Sequence, residues 1–325
     1  MTAGRDAALC TAPALDPEIA SRLGVGPMML RSLSVDALAG IRSEMAAASR
    51  RVQLSDAVER TDVAVPGRAG GPDVVLRIHR PKGRTGPLPC LYAIHGGGYI
   101  LGNYEVEDQR FDSWVPRLGV IGVSVEYRLA PETPYPGPLD DCHAGLSWVY
   151  EHAEELGVDR RLIGVLGTSA GGGLAASLAL RARDNPEPAI AFQLLMYPMI
   201  DDRGVTPSSQ WSDVPVWNPA SNELGWRSYL GELYGTDRVP AAAAPARAID
   251  LRGLPATFIG VGTVDVVCDE DVDFAQRLYR AGVPTELRVY AGGPHGFDRR
   301  ATDTGLSRRG RRDMLEWLTR QLSAQ

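Results

Sequence analysis

Four short stretches of the chain hold residue types that together perform nucleophilic acyl transfer. In Gly167-Thr168-Ser169-Ala170-Gly171 a serine stands between glycines two positions away on either side, the G-x-S-x-G spacing of a nucleophile elbow. An elbow holds its serine in a strained conformation at a sharp turn, so the residues two before and two after must be small; Gly167 and Gly171 meet that demand. A serine so placed still needs a base, an acid that orients the base, and donors for the developing oxyanion. His95-Gly96-Gly97-Gly98-Tyr99 offers successive amides with no side chain in the way, while Asp265 and His295 supply a carboxylate and an imidazole further along.

Each stretch also has a plainer reading. The glycines around Ser169 would suit a phosphate cradle or simple packing, and the triple glycine a surface turn. An Asp after a strand is commonly a helix cap, and a lone His a satisfied polar residue. The phosphate reading fails on its own terms, because Gly164 to Gly173 does not supply GxGxxG in the required place and a P-loop needs a lysine directly after its glycines. The chain's single lysine, Lys82, lies between Pro81 and Gly83, which also argues against a pyridoxal Schiff base. Asp269 and Glu270 compete with Asp265 for the acid role, but they open a helix, where negative charge suits the dipole.

The elements that would position these residues can be read from the alternation of short apolar runs with longer amphipathic segments. Residues 88–96, 119–128, 161–169, 191–199, 256–265 and 285–293 read as strands, and 140–157, 170–184 and 269–282 as the helices between them. Such alternation requires a mostly parallel sheet covered by helices on both faces, so the fold class is α/β. Ser169, Asp265 and His295 then all fall at carboxyl ends of strands, in the chain order Ser, Asp, His of an α/β-hydrolase. Two runs around Gly70-Gly71 predict a β-hairpin. The first sixty residues read as helical, with Leu38, Ile41 and Met45 on one face behind a cap at Ser34. About fifty residues holding Trp211, Trp217 and Trp226 interrupt the rhythm, too long and too aromatic for a loose loop.

Composition narrows the classes of function. A 325-residue chain that is 44% hydrophobic and 23% charged is an ordinary globule, and a net charge of −6 gives no general attraction to nucleic acid or anionic lipid. The basic run Arg308 to Arg312 precedes Met314, Leu315, Leu318 and Leu322 and reads as the solvated face of a C-terminal helix. The opening residues lack a signal-peptide core and no window is apolar enough for a bilayer, so the expectation is a cytoplasmic protein without stable membrane insertion. Cys10, Cys90, Cys142 and Cys268 are scattered and read as structural thiols; His79, His95, His143, His152 and His295 form no close ligand pair, and no metal is expected.

The stretches HGGGY, YRLAPETPYPGPLDD, GTSAGGG, YPMIDDR, DVVCDE and HGF together resemble the hormone-sensitive-lipase-like (bacterial family IV) carboxylesterases of the α/β-hydrolase superfamily, from about residue 60 to the C-terminus. Thr168 stands where many members carry Asp, as in the branch with GTSAG at the elbow. The resemblance implies Ser169 as nucleophile, His295 as general base and then acid, and Asp265 as orienting carboxylate. It implies an oxyanion hole from the amides of Gly97, Gly98 and Ala170, with His95 holding the glycine loop. It also implies a helical cap, giving an N-terminal cap segment over 1–58, a core over 59–202, a cap insertion over 203–245, and the rest of the core over 246–325. Glu126, Tyr127 and Arg128 are expected to be structural, an Arg–Glu pair bracing a loop.

The reaction implied is hydrolysis of a small-molecule ester through an acyl-enzyme, without metal or organic cofactor. Activity should require a neutral His295, because a protonated imidazole cannot accept the serine proton. The same triad would also serve amides, lactones or carbamates, and a non-catalytic binding protein can share the scaffold. Plant hormone receptors resembling the family have lost the catalytic histidine, whereas His295 is present here. Family members are often homodimers; no segment of this chain compels it.

Overall fold

The computed structural model describes residues 11–23, 33–68, 70–185 and 187–323. Cys10 and the part of the N-terminal helical expectation over 1–10 and 24–32 lie outside them. Among the described residues the helices are α1 (Pro17–Leu23), α2 (Leu38–Ser49), α3 (Asp108–Leu118), α4 (Gly137–Glu151), α5 (Ala153–Leu156), α6 (Ala170–Asp184), α7 (Pro219–Leu230), α8 (Cys268–Arg280), α9 (Phe297–Arg300) and α10 (Gly305–Ser323). The strands are β1 (Val58–Val65), β2 (Val74–Pro81), β3 (Leu88–Ile94), β4 (Ile121–Glu126), β5 (Val158–Thr168), β6 (Phe192–Met196), β7 (Ala256–Val264) and β8 (Thr285–Pro294).

They form one sheet in the order β1-β2-β4-β3-β5-β6-β7-β8. The hairpin β1–β2 is antiparallel, in register from Val58 opposite Pro81 to Val65 opposite Val74, and β2 meets β4 antiparallel. From β4 onward every pairing is parallel. All five residues of β6 are buried, as are all but the first two of β3, so these strands read as continuous apolar runs instead of alternating ones. Such burial is worth about 1.5–3 kcal/mol for each large aliphatic or aromatic side chain.

The helix α6 lies against the sheet with Ala170 to Leu180 all buried, which its Gly and Ala composition makes sterically possible. Helix α10 buries Met314, Leu315 and Leu318 and leaves Arg308, Arg309 and Arg312 exposed, as the pattern predicts. Three local expectations are corrected. The helix read over 140–157 breaks at His152 into α4 and α5. Ser34 makes no capping hydrogen bond; it precedes a turn of 3-10 helix, Val35–Ala37, that runs into α2. And α3, whose Phe111, Trp114 and Val115 are buried on one face, stands where no helix is predicted, because these few apolar residues are diluted by charged ones and followed by Pro116.

Candidate active site

The site is assembled where β5, β7, β8 and β3 end. Ser169 links β5 directly to α6 and has φ 57° and ψ −125°, a conformation that only surrounding structure can impose on a residue with a Cβ. Its N–H donates to the Met196 carbonyl at 2.9 Å, and its own carbonyl accepts from Gly173 and Met199, so the turn is tied to β6 and its exit. A Cβ at Gly167 would sit 2.1 Å from the Gly171 carbonyl oxygen, and one at Gly171 would sit 2.1 Å from that of Ile94. Gly167 is therefore dictated by backbone contact within the elbow, and Gly171 by backbone contact with the end of β3.

His295 follows β8, and its Nε2 lies 2.9 Å from Ser169 Oγ. On the other side of the ring Nδ1 is 2.8 Å from Asp265 Oδ2, just beyond β7, so Nδ1 carries the proton and Nε2 faces the serine as an acceptor. The second oxygen of Asp265 accepts from the Val267 N–H at 3.2 Å. Asp265 is fully buried, and Ser169 and His295 are each 6% exposed. Asp269 and Glu270 point elsewhere: Asp269 accepts from the Ser208 N–H, and Glu270 from the N–H groups of Ile200 and Asp201. Burial raises Glu270 well above the usual carboxylate range.

The glycine loop leaves β3 at His95. The His95 ring stacks on Tyr127 at 4.2 Å, its Nδ1–H donates to the Gly96 carbonyl at 2.9 Å, and its own carbonyl accepts from the Tyr127 hydroxyl. Burial pushes this histidine down to about 4, so it is neutral and braces the loop. A Cβ at Gly96 would come within 2.8 Å of the Thr168 carbonyl oxygen, which shows how closely the loop is laid against the elbow. Gly98 has φ +62°, and a Cβ there would fall 2.1 Å from Cη2 of Trp217. Among the described residues no group accepts from the N–H of Gly97 or Gly98. Ala170 opens α6, where first-turn N–H groups have no intrahelical partner and the helix dipole favours negative charge.

A cavity of about 490 Å³ opens onto Ser169 and His295. Leu33, Ile41 and Met45 line one side, while Leu38 of the same predicted face turns into the core. Helix α2 is anchored there by Arg42, which donates to the carbonyls of Ile100 and Ala130. Val216 and Trp217 line another side, Trp217 with its indole N–H donating to Asn222. Trp211 and Trp226 are buried away from the cavity, Trp226 against Tyr99. Tyr197, Arg299 and Arg300 also reach the cavity, and no motif in the sequence marks them as lining it. Tyr197 packs on the His295 ring at 4.7 Å and donates its hydroxyl to Asp298; its place just past a strand is the sole sequence signal.

The expected Arg–Glu brace is also corrected. Arg128 pairs through two nitrogens with Asp141, at 2.7 and 2.8 Å, while Glu126 accepts from the Tyr104 N–H. Among the described residues no group of three or more His, Cys, Asp or Glu could hold a metal, and no helix is long and apolar enough to cross a membrane. Cys90, Cys142 and Cys268 are free and buried.

The sequence profile of the α/β-hydrolase fold family matches residues 91–299. The chain belongs to that family. This α/β hydrolase is 34% identical over 290 residues to esterase LipI of Mycobacterium tuberculosis, covering 88% of each chain. It is 36% identical to carboxylesterase NlhH of the same species, over 73% of this chain and 75% of that one. Among solved structures it is similar to a bacterial heroin esterase, with a TM-score of 0.89 at 39% identity, covering 95% of this chain and 98% of that one. Esterase LipW from Mycobacterium marinum follows, with a TM-score of 0.84 at 34% identity over 97% and 99%. The hydrolase is a carboxylic ester hydrolase of the hormone-sensitive-lipase-like branch.

Proposed function

We propose that this esterase cleaves short- to medium-chain acyl esters through an acyl-enzyme on Ser169. The observation that carries the reading is the chain of contacts from Asp265 through His295 to Ser169 Oγ, opening onto a largely apolar cavity. Ser169 Oγ attacks the ester carbonyl carbon while His295 Nε2 takes its proton. Gly97, Gly98 and Ala170 donate to the resulting oxyanion, each donor worth roughly 10² to 10³ in rate. Collapse breaks the bond to the alcohol oxygen, which receives the proton from His295. Water, deprotonated by the same imidazole, then attacks the acyl carbon, and the bond to Ser169 Oγ breaks as His295 returns the proton to that oxygen, releasing the acid.

The cap reading rests on what lines the cavity. Ile41 and Met45 come from the 1–58 segment, and Val216 and Trp217 from the 203–245 insertion, over a core of 59–202 and 246–325. A cavity of about 490 Å³ holds one small ester. The test is hydrolysis of p-nitrophenyl esters from acetate to palmitate, with Ser169→Ala in parallel. The expected result is a peak at short to medium chains that vanishes in the variant. Turnover retained without the Ser169 hydroxyl would overturn the assignment of the nucleophile.

A further inference from the structure

The cavity above Ser169 carries two guanidinium groups and, among its described lining residues, no carboxylate. The two arginines are differently engaged. Arg299 pairs with the fully buried Glu107 at 2.7 Å and donates to the Val106 carbonyl, so its charge is answered from below. The Arg300 guanidinium has no hydrogen bond or ion pair among the described residues.

Arg300 is exposed to solvent along the wall of the cavity. Desolvation by the cavity wall and the like charge of Arg299 hold its guanidinium below its ordinary value. Its position within the cavity is specific. The side chain folds back beside Gly296, with Nε 3.6 Å from where a Cβ there would stand, next to His295. In ester cleavage the general acid delivers its proton to the departing alcohol, so the alcohol portion lies on the histidine side.

Resting on the esterase reading of Ser169 and His295, we propose that the site selects esters whose alcohol portion carries a carboxylate, and that Arg300 is the residue that receives it. A guanidinium presents a planar pair of donors that matches a carboxylate, and the contact is charge-assisted. Part of its strength is lost to solvent, so the expected discrimination is about tenfold in kcat/KM.

The experiment compares 4-acetoxybenzoate with its methyl ester, each rate divided by that of uncatalysed hydrolysis, with p-nitrophenyl acetate as a neutral reference. The wild-type enzyme should prefer the acid. In Arg300→Gln the acid-to-methyl-ester ratio should fall about tenfold, and Arg300→Lys should retain part of it. Because the readout is a ratio within one protein, a general loss of folded enzyme does not move it. A wild-type ratio of one or less, or a ratio unchanged in Arg300→Gln, overturns the inference while Ser169-dependent cleavage of p-nitrophenyl acetate leaves the esterase reading standing. Absence of turnover on all three esters would remove both.

Discussion

Replacing Asp265 with Asn tests the proposed triad at its least exposed point. The substitution preserves shape, but the two ends of the new amide are not equivalent. The Val267 N–H points at Oδ1 from 3.2 Å and requires an acceptor there, so the amide nitrogen must occupy the Oδ2 position, 2.8 Å from His295 Nδ1. Two N–H groups cannot face each other, and the imidazole shifts its proton to Nε2, where it donates to Ser169 and cannot take the serine proton. The lost charge adds to the effect. Opposite charges centred about 4 Å apart at an effective dielectric constant of about 20 interact by about 4 kcal/mol, and the imidazolium forms only as the reaction proceeds. That corresponds to about three orders of magnitude in kcat. The assay is kcat on p-nitrophenyl acetate, with circular dichroism melts of both proteins as the folding control. A variant that melts like wild type and keeps kcat within tenfold would refute the argument.

Other outcomes follow from the same geometry. Gly98→Ala should lower kcat by about 10² or more, because its Cβ meets Trp217 and displaces a proposed oxyanion donor. Adding Trp217→Ala should restore part of that rate, and a folded double variant with no recovery would show that the collision is not the cause. Gly171→Ala drives a Cβ to 2.1 Å from the Ile94 carbonyl, backbone that cannot step aside, and should destabilise the fold by about 3 kcal/mol or more in urea unfolding. An unmoved urea midpoint would contradict it. His95, held down to about 4, is neutral in the folded protein at pH 5, whereas the unfolded chain binds a proton below about 6.5. Its stabilising contribution is therefore complete above about pH 6.5 and shrinks as the pH falls, by about 2 kcal/mol at pH 5. The stability gap between wild type and His95→Gln should narrow by that amount between pH 7.5 and 5; a constant gap would count against a neutral His95.

The parts of the fold legible in the sequence are those governed by short-range rules. Buried parallel strands appear as unbroken apolar runs, and residues 170–184 read as a helix with the bounds that α6 has. The residues brought together around Ser169 were legible because glycine spacing and chain order carry the geometry of an elbow. What stayed hidden depends on partners far apart in the chain. The Arg299–Glu107 contact spans 192 positions, and Arg128 turns to Asp141 instead of nearby Glu126, choices fixed only when helices pack. Helix α3 escaped because three buried residues among charged neighbours give a weak periodic signal. That Trp217 alone of the three insertion tryptophans lines the cavity follows from its contact with Gly98, which no local pattern encodes.

The insertion between β6 and β7 has a consequence for how this enzyme can change over generations. Trp217 bounds the cavity and also presses on Gly98, and Tyr229 of α7 stacks on Tyr99 at 4.1 Å, immediately beyond the triple glycine. Breadth of substrate acceptance and placement of the proposed amide donors are therefore written in the same side chains. A lineage that widens the cavity through this segment inherits a looser glycine loop with the same mutation, and recovering speed calls for a second change on the loop itself. Selection on what the enzyme accepts and selection on how fast it turns over cannot proceed independently here.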